Sequence, residues 1–169
     1  DALLLATSPI AALCNDSSDG EAEVNVSGGV GPYTYIWNDP SGQTTTTASN
    51  LVAGAYTVWV TDANGCTINI DTIVTEPLQL IGVFTGSDIS CFGEEDGSIN
   101  TTISGGTTPY IYNWTGPSAF SANTNNISSL NSGSYTLSVR DFNDCIDTST
   151  IVINEPQPLT YVVATIEPL

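Results

Sequence analysis

Four cysteines and eighteen carboxylates are the residues of this chain that could do chemistry, and no histidine stands among them. Without His, the usual general base and the commonest metal ligand are missing, so Ser-His-Asp and Cys-His catalysis have nothing to work with. The cysteines show no CxxC spacing, which argues against zinc. Paired carboxylates could serve a glycosidase. Here, however, they fall in turn-like strings, "CNDSSDGEAE" from Cys14 and "TDANGC" ending at Cys66, and the same strings recur later in the chain. An active site does not usually repeat along an array, so the chain reads as non-enzymatic.

The charge balance narrows the partners. Arg140 is the only basic side chain, Lys is absent, and the formal net charge is −17. Such a chain repels nucleic acid and anionic membranes. No run of about 18 apolar residues exists to cross a membrane as a helix, and no basic segment precedes a hydrophobic run as a signal peptide would require.

The recurrence is extensive. "GGVGPYTYIWN" at 28–38 returns as "GGTTPYIYNWT" at 105–115. Cys14, Asp19-Gly20 and Trp37 match Cys91, Asp96-Gly97 and Trp114, each 77 positions on. Gly54-Ala55-Tyr56, Asp62, Asn64, Cys66 and Glu76-Pro77 match Gly133-Ser134-Tyr135, Asp141, Asn143, Cys145 and Glu155-Pro156, each 79 positions on. The two extra residues lie around "GPSAF" and predict a surface loop. The spacing divides the chain into repeats at 1–77 and 78–156, with 157–169 as the first strand of a third repeat. The chain then reads as a piece of a longer tandem array.

Alternation with period two, broken by Gly, Asn, Asp and Pro, predicts an all-β unit. In the first repeat about seven strands are expected: 3–7, 21–27, 33–38, 44–48, a short piece near Leu51, 56–61 and 66–75. Short strands at this spacing suggest a two-sheet sandwich of immunoglobulin type. Comparing the copies assigns faces. Ala22, Val24 and Val26 match Ile99, Thr101 and Ile103 and should face inward. Tyr33, Tyr35 and Trp37 share the inner face, because Ile36 opposite becomes Asn113. That aromatic run is expected to pack a core rather than to stack sugars. "LVAGAYTVWV" and "LNSGSYTLSV" resemble a tyrosine corner, with Tyr56 and Tyr135 bonded back to backbone. Trp59 matches Ser138, so it should point outward as a contact surface or under a covering loop.

Four cysteines allow three pairings. If each repeat folds alone, Cys14 pairs with Cys66 and Cys91 with Cys145. Closing a loop of about 53 residues would stabilise a unit by roughly 4 kcal/mol in the chain-entropy model, and disulfides imply an oxidising, extracellular compartment. Those bridges would gather Asp16, Asp19, Asp62 and Asn64 at one end of the sandwich, and Glu95, Asp96, Asp141 and Asn143 in the second copy. Oxygen ligands suit Ca²⁺; the rival expectation is that these Asx residues simply form turns and that no cofactor is held.

The full pattern, Cys…Asp-Gly…Gly-Gly-x-x-Pro-Tyr-x-Tyr-x-Trp…Gly-x-Tyr…Asp-x-Asn-x-Cys…Glu-Pro, resembles the SprB repeat of very large surface adhesins of Bacteroidota, some of them gliding. The resemblance implies export by the type IX system, display on the cell surface and a role in adhesion. It supplies no catalytic residues. The second copy departs from it where "DFNDC" replaces "DANGC". Asp71-Thr72-Ile73 also resembles the short O-glycosylation motif of that phylum, which makes Thr72 an attachment candidate. The expected role is a stiff stalk whose partners are neighbouring repeats of the same chain. The alternatives are a subunit of a self-assembling extracellular filament, contacting other copies, and, less favoured, a module that binds surface glycans.

Overall fold

The computed structural model describes residues 1–161. It divides into two units, one of Asp1–Gln79 with Gly105–Thr107 and the other of Leu80–Ser104 with the chain from Thr108. The first unit holds β1 (Leu4–Ile10), β2 (Gly20–Ser27), β3 (Thr34–Trp37), β4 (Thr47–Leu51), β5 (Gly54–Thr61) and β6 (Thr67–Val74). Its strands form two three-stranded antiparallel sheets, β1-β2-β4 and β3-β5-β6.

The second unit holds β7 (Ile81–Ser87), β8 (Gly97–Ser104), β9 (Ile111–Thr115), β10 (Ser121–Ala122), β11 (Ile127–Leu130), β12 (Gly133–Arg140) and β13 (Ile146–Ile153). It repeats the plan with sheets β7-β8-β11 and β10-β9-β12-β13. This is the immunoglobulin-like arrangement that the strand spacing predicts.

The alternation works as read. Ala22 and Val24 are buried and Val26 partly so, while Glu23 and Asn25 between them are exposed. Ile99, Thr101 and Ile103 occupy the same places in β8. Trp37 lies in a core with Tyr56, Val58, Val60 and Val74, and Trp114 with Tyr135, Leu137, Val139 and Ile153. Each aliphatic side chain so buried contributes about 1.5–3 kcal/mol. Both indole nitrogens find a carbonyl, Trp37 that of Thr45 at 2.9 Å and Trp114 that of Thr124 at 3.1 Å. Both tyrosine corners are present: the Tyr56 hydroxyl donates to Val52 O and the Tyr135 hydroxyl to Asn131 O, each at 2.9 Å. Gly28 and Gly29 take positive φ, as do Gly105 and Gly106, so the turn before each aromatic strand needs residues without a Cβ.

Three expectations change. The separate pieces at 44–48 and near Leu51 are one strand, β4, in which Ala48 and Leu51 both face the core and the backbone of Ser49 between them is bonded on both sides by the Gln43 side chain. "GPSAF" is not a plain surface loop: it makes a 3-10 turn at Pro117–Ala119 and leads into β10. Phe120 sets its ring edge-on to Tyr135 at 5.3 Å and 84°, so the inserted residues gain an apolar partner. Finally, Gln157 to Tyr161 carry no strand, and the remainder of the expected 157–169 strand lies outside the described residues.

Candidate functional site

Within each unit the chain comes in at one pole of the sandwich and leaves at the other, and the chemistry-bearing residues cluster at these poles. At the leading pole of the first unit Gly29 N–H donates to Asp1 O at 3.1 Å, beside the turn between β5 and β6. That turn is built on Asp62. Its Oδ1 accepts the amides of Asn64 and Cys66, both at 2.9 Å, and its Oδ2 accepts Val30 N–H at 3.2 Å. The amide of Cys66 is the largest influence holding this carboxyl below the usual carboxylate range; the Val30 and Asn64 amides add to it against the opposing effect of burial. Asp141 repeats the turn, accepting Asn143 and Cys145 amides at 2.9 Å each. Where Gly65 takes φ +83°, Asp144 takes φ +65° and pairs with Arg140 at 2.9 Å. Replacing glycine therefore leaves the turn in place, since Asp tolerates this backbone region better than most residues.

The trailing pole is built on the Glu of each Glu-Pro. Glu76 accepts the Asn15 side-chain amide at 2.8 Å and the Asp16 backbone amide at 2.7 Å. Ala12 N–H donates to Thr75 O at 2.8 Å beside it, and Asp19 closes the same loop by accepting Leu13 N–H at 3.0 Å. In the second unit Glu155 accepts Gly93 N–H at 2.6 Å, and Asp96 accepts Ser90 N–H at 3.0 Å. Hydrogen bonds from the Ser90 hydroxyl and amide pull Asp96 below the usual range.

This geometry overturns the expected disulfides. Cys66 immediately precedes β6 and Cys14 sits at the turn held by Glu76 just after it, so the eight residues of β6, about 26 Å of strand, separate them. A disulfide needs Cα atoms within about 7 Å. Cys91 and Cys145 are parted in the same way by β13. Accordingly, Cys66 and Cys91 are exposed free thiols. The disulfide-bonded cysteines are Cys14, at the trailing pole of the first unit, and Cys145, at the leading pole of the second.

The expected calcium set is divided by the same strands. Asp16 and Asp19 lie at one pole, Asp62 and Asn64 at the other; Glu95 and Asp96 are likewise apart from Asp141 and Asn143. Among the described residues no group of three or more His, Cys, Asp or Glu has the arrangement to hold a metal ion. Asp19, Asp62, Asp96 and Asp141 are turn formers whose carboxylates accept backbone amides.

Trp59 points outward as its mismatch with Ser138 implies, at 40 % exposure. It is paired across the sheet with Ile36, itself 58 % exposed. The corresponding residues of the second unit, Ser138 and Asn113, are polar, so this apolar patch belongs to one copy alone. Thr72 lies on the inner face of β6, paired with Tyr56 and only 6 % exposed. An O-glycan needs its hydroxyl at the surface, so the folded unit does not offer Thr72 as an attachment site. Composition did not single out Asp39, which is buried and organises the loop after β3 by accepting Ser41 N–H at 3.0 Å and Gln43 N–H at 2.9 Å. Burial raises its pKa, but the Gln43 and Ser41 hydrogen bonds outweigh it and leave the carboxyl below the usual range. The signal for it was the turn string "DPSG".

Two segments of the chain, residues 12–42 and 83–119, match the SprB repeat. No curated protein matches the chain. Among solved structures, the three N-terminal domains of the Highly Immunogenic Outer Capsid protein (Hoc) of bacteriophage RB49 are similar at 16% identity with a TM-score of 0.56; the match covers 90% of this chain and 59% of that one. The amphioxus IgVJ-C2 molecule is similar at 12% identity with a TM-score of 0.41, over 82% of this chain and 97% of that one. The first likeness shows the fold, in agreement with the sheet order.

Proposed function

We propose that this chain is a non-catalytic stalk segment of a large extracellular, cell-surface adhesin. The observation that carries the reading is the path of the chain: each of two like units takes the chain in at one pole and releases it at the other. Units of that kind extend an array in file and hold a distal binding region away from the cell. The Glu76 and Glu155 clamps tie the turn after Cys14 or Cys91 to the last strand just before the chain leaves. The following Pro77 and Pro156 fix φ at the junction. The SprB match supports surface display and type IX export, and the near absence of basic side chains discourages self-sticking.

Light scattering of the purified, reduced chain from dilute to concentrated solution tests this reading. A monomer mass at every concentration is expected. Growth of mass with concentration would favour a self-assembling filament, with the Trp59–Ile36 patch as the first contact to mutate. Binding to a glycan panel that is lost in Trp59→Ala would instead favour a sugar-binding module.

A further inference from the structure

Four positions along the first and last strands differ in kind between the copies. Leu5, Ala11, Ile68 and Thr75 of the first repeat become Gly82, Asp88, Asp147 and Asn154 of the second. The second unit brings these residues together in pairs. Gly82 N–H donates to Asp147 Oδ2 at 2.9 Å, near the start of both β7 and β13. At the other end of the same strands, Asn154 N–H donates to Asp88 Oδ1 at 2.8 Å. The Asn154 side-chain amide reaches both oxygens of that carboxylate, at 3.3 and 3.2 Å. Ile89 N–H donates to Asn154 O beside them at 3.0 Å.

The partners at the two ends are 65 and 66 positions apart, so β7 and β13 lie side by side and run in the same direction. Between the ends the strands touch closely: a Cβ at Gly86 would come within 2.9 Å of Ile151 Cδ1. In the first unit β1 and β6 are neighbours in the same way. There Ala12 N–H donates to Thr75 O at 2.8 Å, which repeats the Ile89 bond. The two carboxylate pins are not repeated, because the side chains of Ala11 and Ile68 carry no acceptor. The Glu76 and Glu155 ties lie past the first strand, in the turn, and occur in both units, so they do not make this difference.

The chain enters the second unit at the start of β7 and leaves it at the end of β13. A pull along the chain therefore slides the two strands past each other. Bonds across such a seam are loaded together and must fail together, instead of opening one after another as in a peeled hairpin. Resistance to that pull is set by the rate of unfolding, and hydrogen bonds to an ionised carboxylate are stronger than neutral ones.

We propose that the second unit is a load-bearing module whose first and last strands form a shear seam pinned at both ends, by Asp147 and by Asp88, and that the first unit, without these pins, opens first under tension. Its use as a load-bearing device rests on the stalk reading; the seam itself does not. The pair then yields in steps: one unit lengthens the chain at a lower force while the other still holds.

The test is to stretch the reduced chain by tags at its two ends, at constant speed, and to read the force of each unfolding step. Two steps at distinct forces are expected. Asp88→Ala and Asp147→Ala should each lower the higher step and leave the lower one unmoved. Ala11→Asp combined with Thr75→Asn should raise the lower step. Asn126→Ala is the control, since it removes a 2.9 Å bond from Thr101 N–H inside the second unit but away from the seam. It should lower the urea midpoint without lowering the force. Two steps at one force, a higher step unmoved by both Asp variants, or a loss of force in Asn126→Ala as large as in Asp88→Ala would overturn the proposal. Failure of the stalk reading would show instead as mass growing with concentration, and would leave these forces as they are. Asp88 is exposed and Asp147 half-buried, and an unchanged far-UV circular dichroism spectrum confirms the fold of each variant.

Discussion

The carboxylate of Glu76 accepts the backbone amide of Asp16 at 2.7 Å, and this one contact fixes the turn after Cys14 to the pole where the chain leaves the first unit. It explains why Glu-Pro recurs at the end of each repeat. Glu76→Ala removes this bond and the one from Asn15. It should cost about 1 kcal/mol of stability, as expected for partly exposed hydrogen bonds, read as a lower urea midpoint. Glu76→Gln, which keeps an acceptor oxygen, should cost less. Equal stability in all three chains would show that the clamp does not hold the pole.

Two tryptophans of the first unit, Trp37 in β3 and Trp59 in β5, face opposite sides of the sheet. Trp37 is 1 % exposed and Trp59 40 %. Trp37→Ala should therefore cost about 3–5 kcal/mol, the range for emptying a large core site. Trp59→Ala should stay within about 1 kcal/mol. Denaturant titration of the two variants separates these values, and comparable losses would mean that Trp59 is covered.

The leading-pole turn should give the fold an acid-sensitive edge. The Cys66 amide, with those of Val30 and Asn64, holds the Asp62 carboxyl below its usual 3.8 in the folded unit. A depressed folded pKa contributes stability that is fully present above the unfolded value and is lost as pH falls through the folded one. The melting midpoint should lose this contribution only below about pH 4. Relief of repulsion in a chain of net charge −17 acts in the opposite direction, so the comparison is with Asp62→Asn. That variant should be less stable at neutral pH and should lose less on acidification. Parallel pH curves for the two chains would contradict the role of the turn.

Calcium should leave the fold unmoved. The acids that the sequence offers as ligands are split between poles, and Asp62 and Asp141 already accept two backbone amides on one oxygen. Melting curves with added Ca²⁺ and with chelator should superimpose. A midpoint raised by Ca²⁺ would reveal a site that these contacts do not explain.

Much of the fold is legible because two copies can be compared. Substitution of Ile36 by Asn113 and of Trp59 by Ser138 distinguishes the outer face from the inner more surely than alternation alone. The tyrosine corners and core tryptophans follow from the same comparison. The cysteines mislead because a bond within each repeat is the economical assumption for a unit that folds alone. Strand direction holds the missing information: the first strand carries the chain to the trailing pole, where Cys14 follows it, whereas Cys66 precedes the last strand and must stand at the leading pole. Thr72 misleads for a related reason. A three-residue motif records nothing of the face its hydroxyl takes, and β6 turns it inward.

The central claim, that these repeats extend in file as a passive stalk, is tested most directly by negative-stain electron microscopy of the native protein at low and high concentration. Separate strings of beads, one unit wide and unchanged by concentration, are the result the account predicts. Regular helical fibres built by lateral contact between chains would contradict it, and would make the repeats themselves the assembling element.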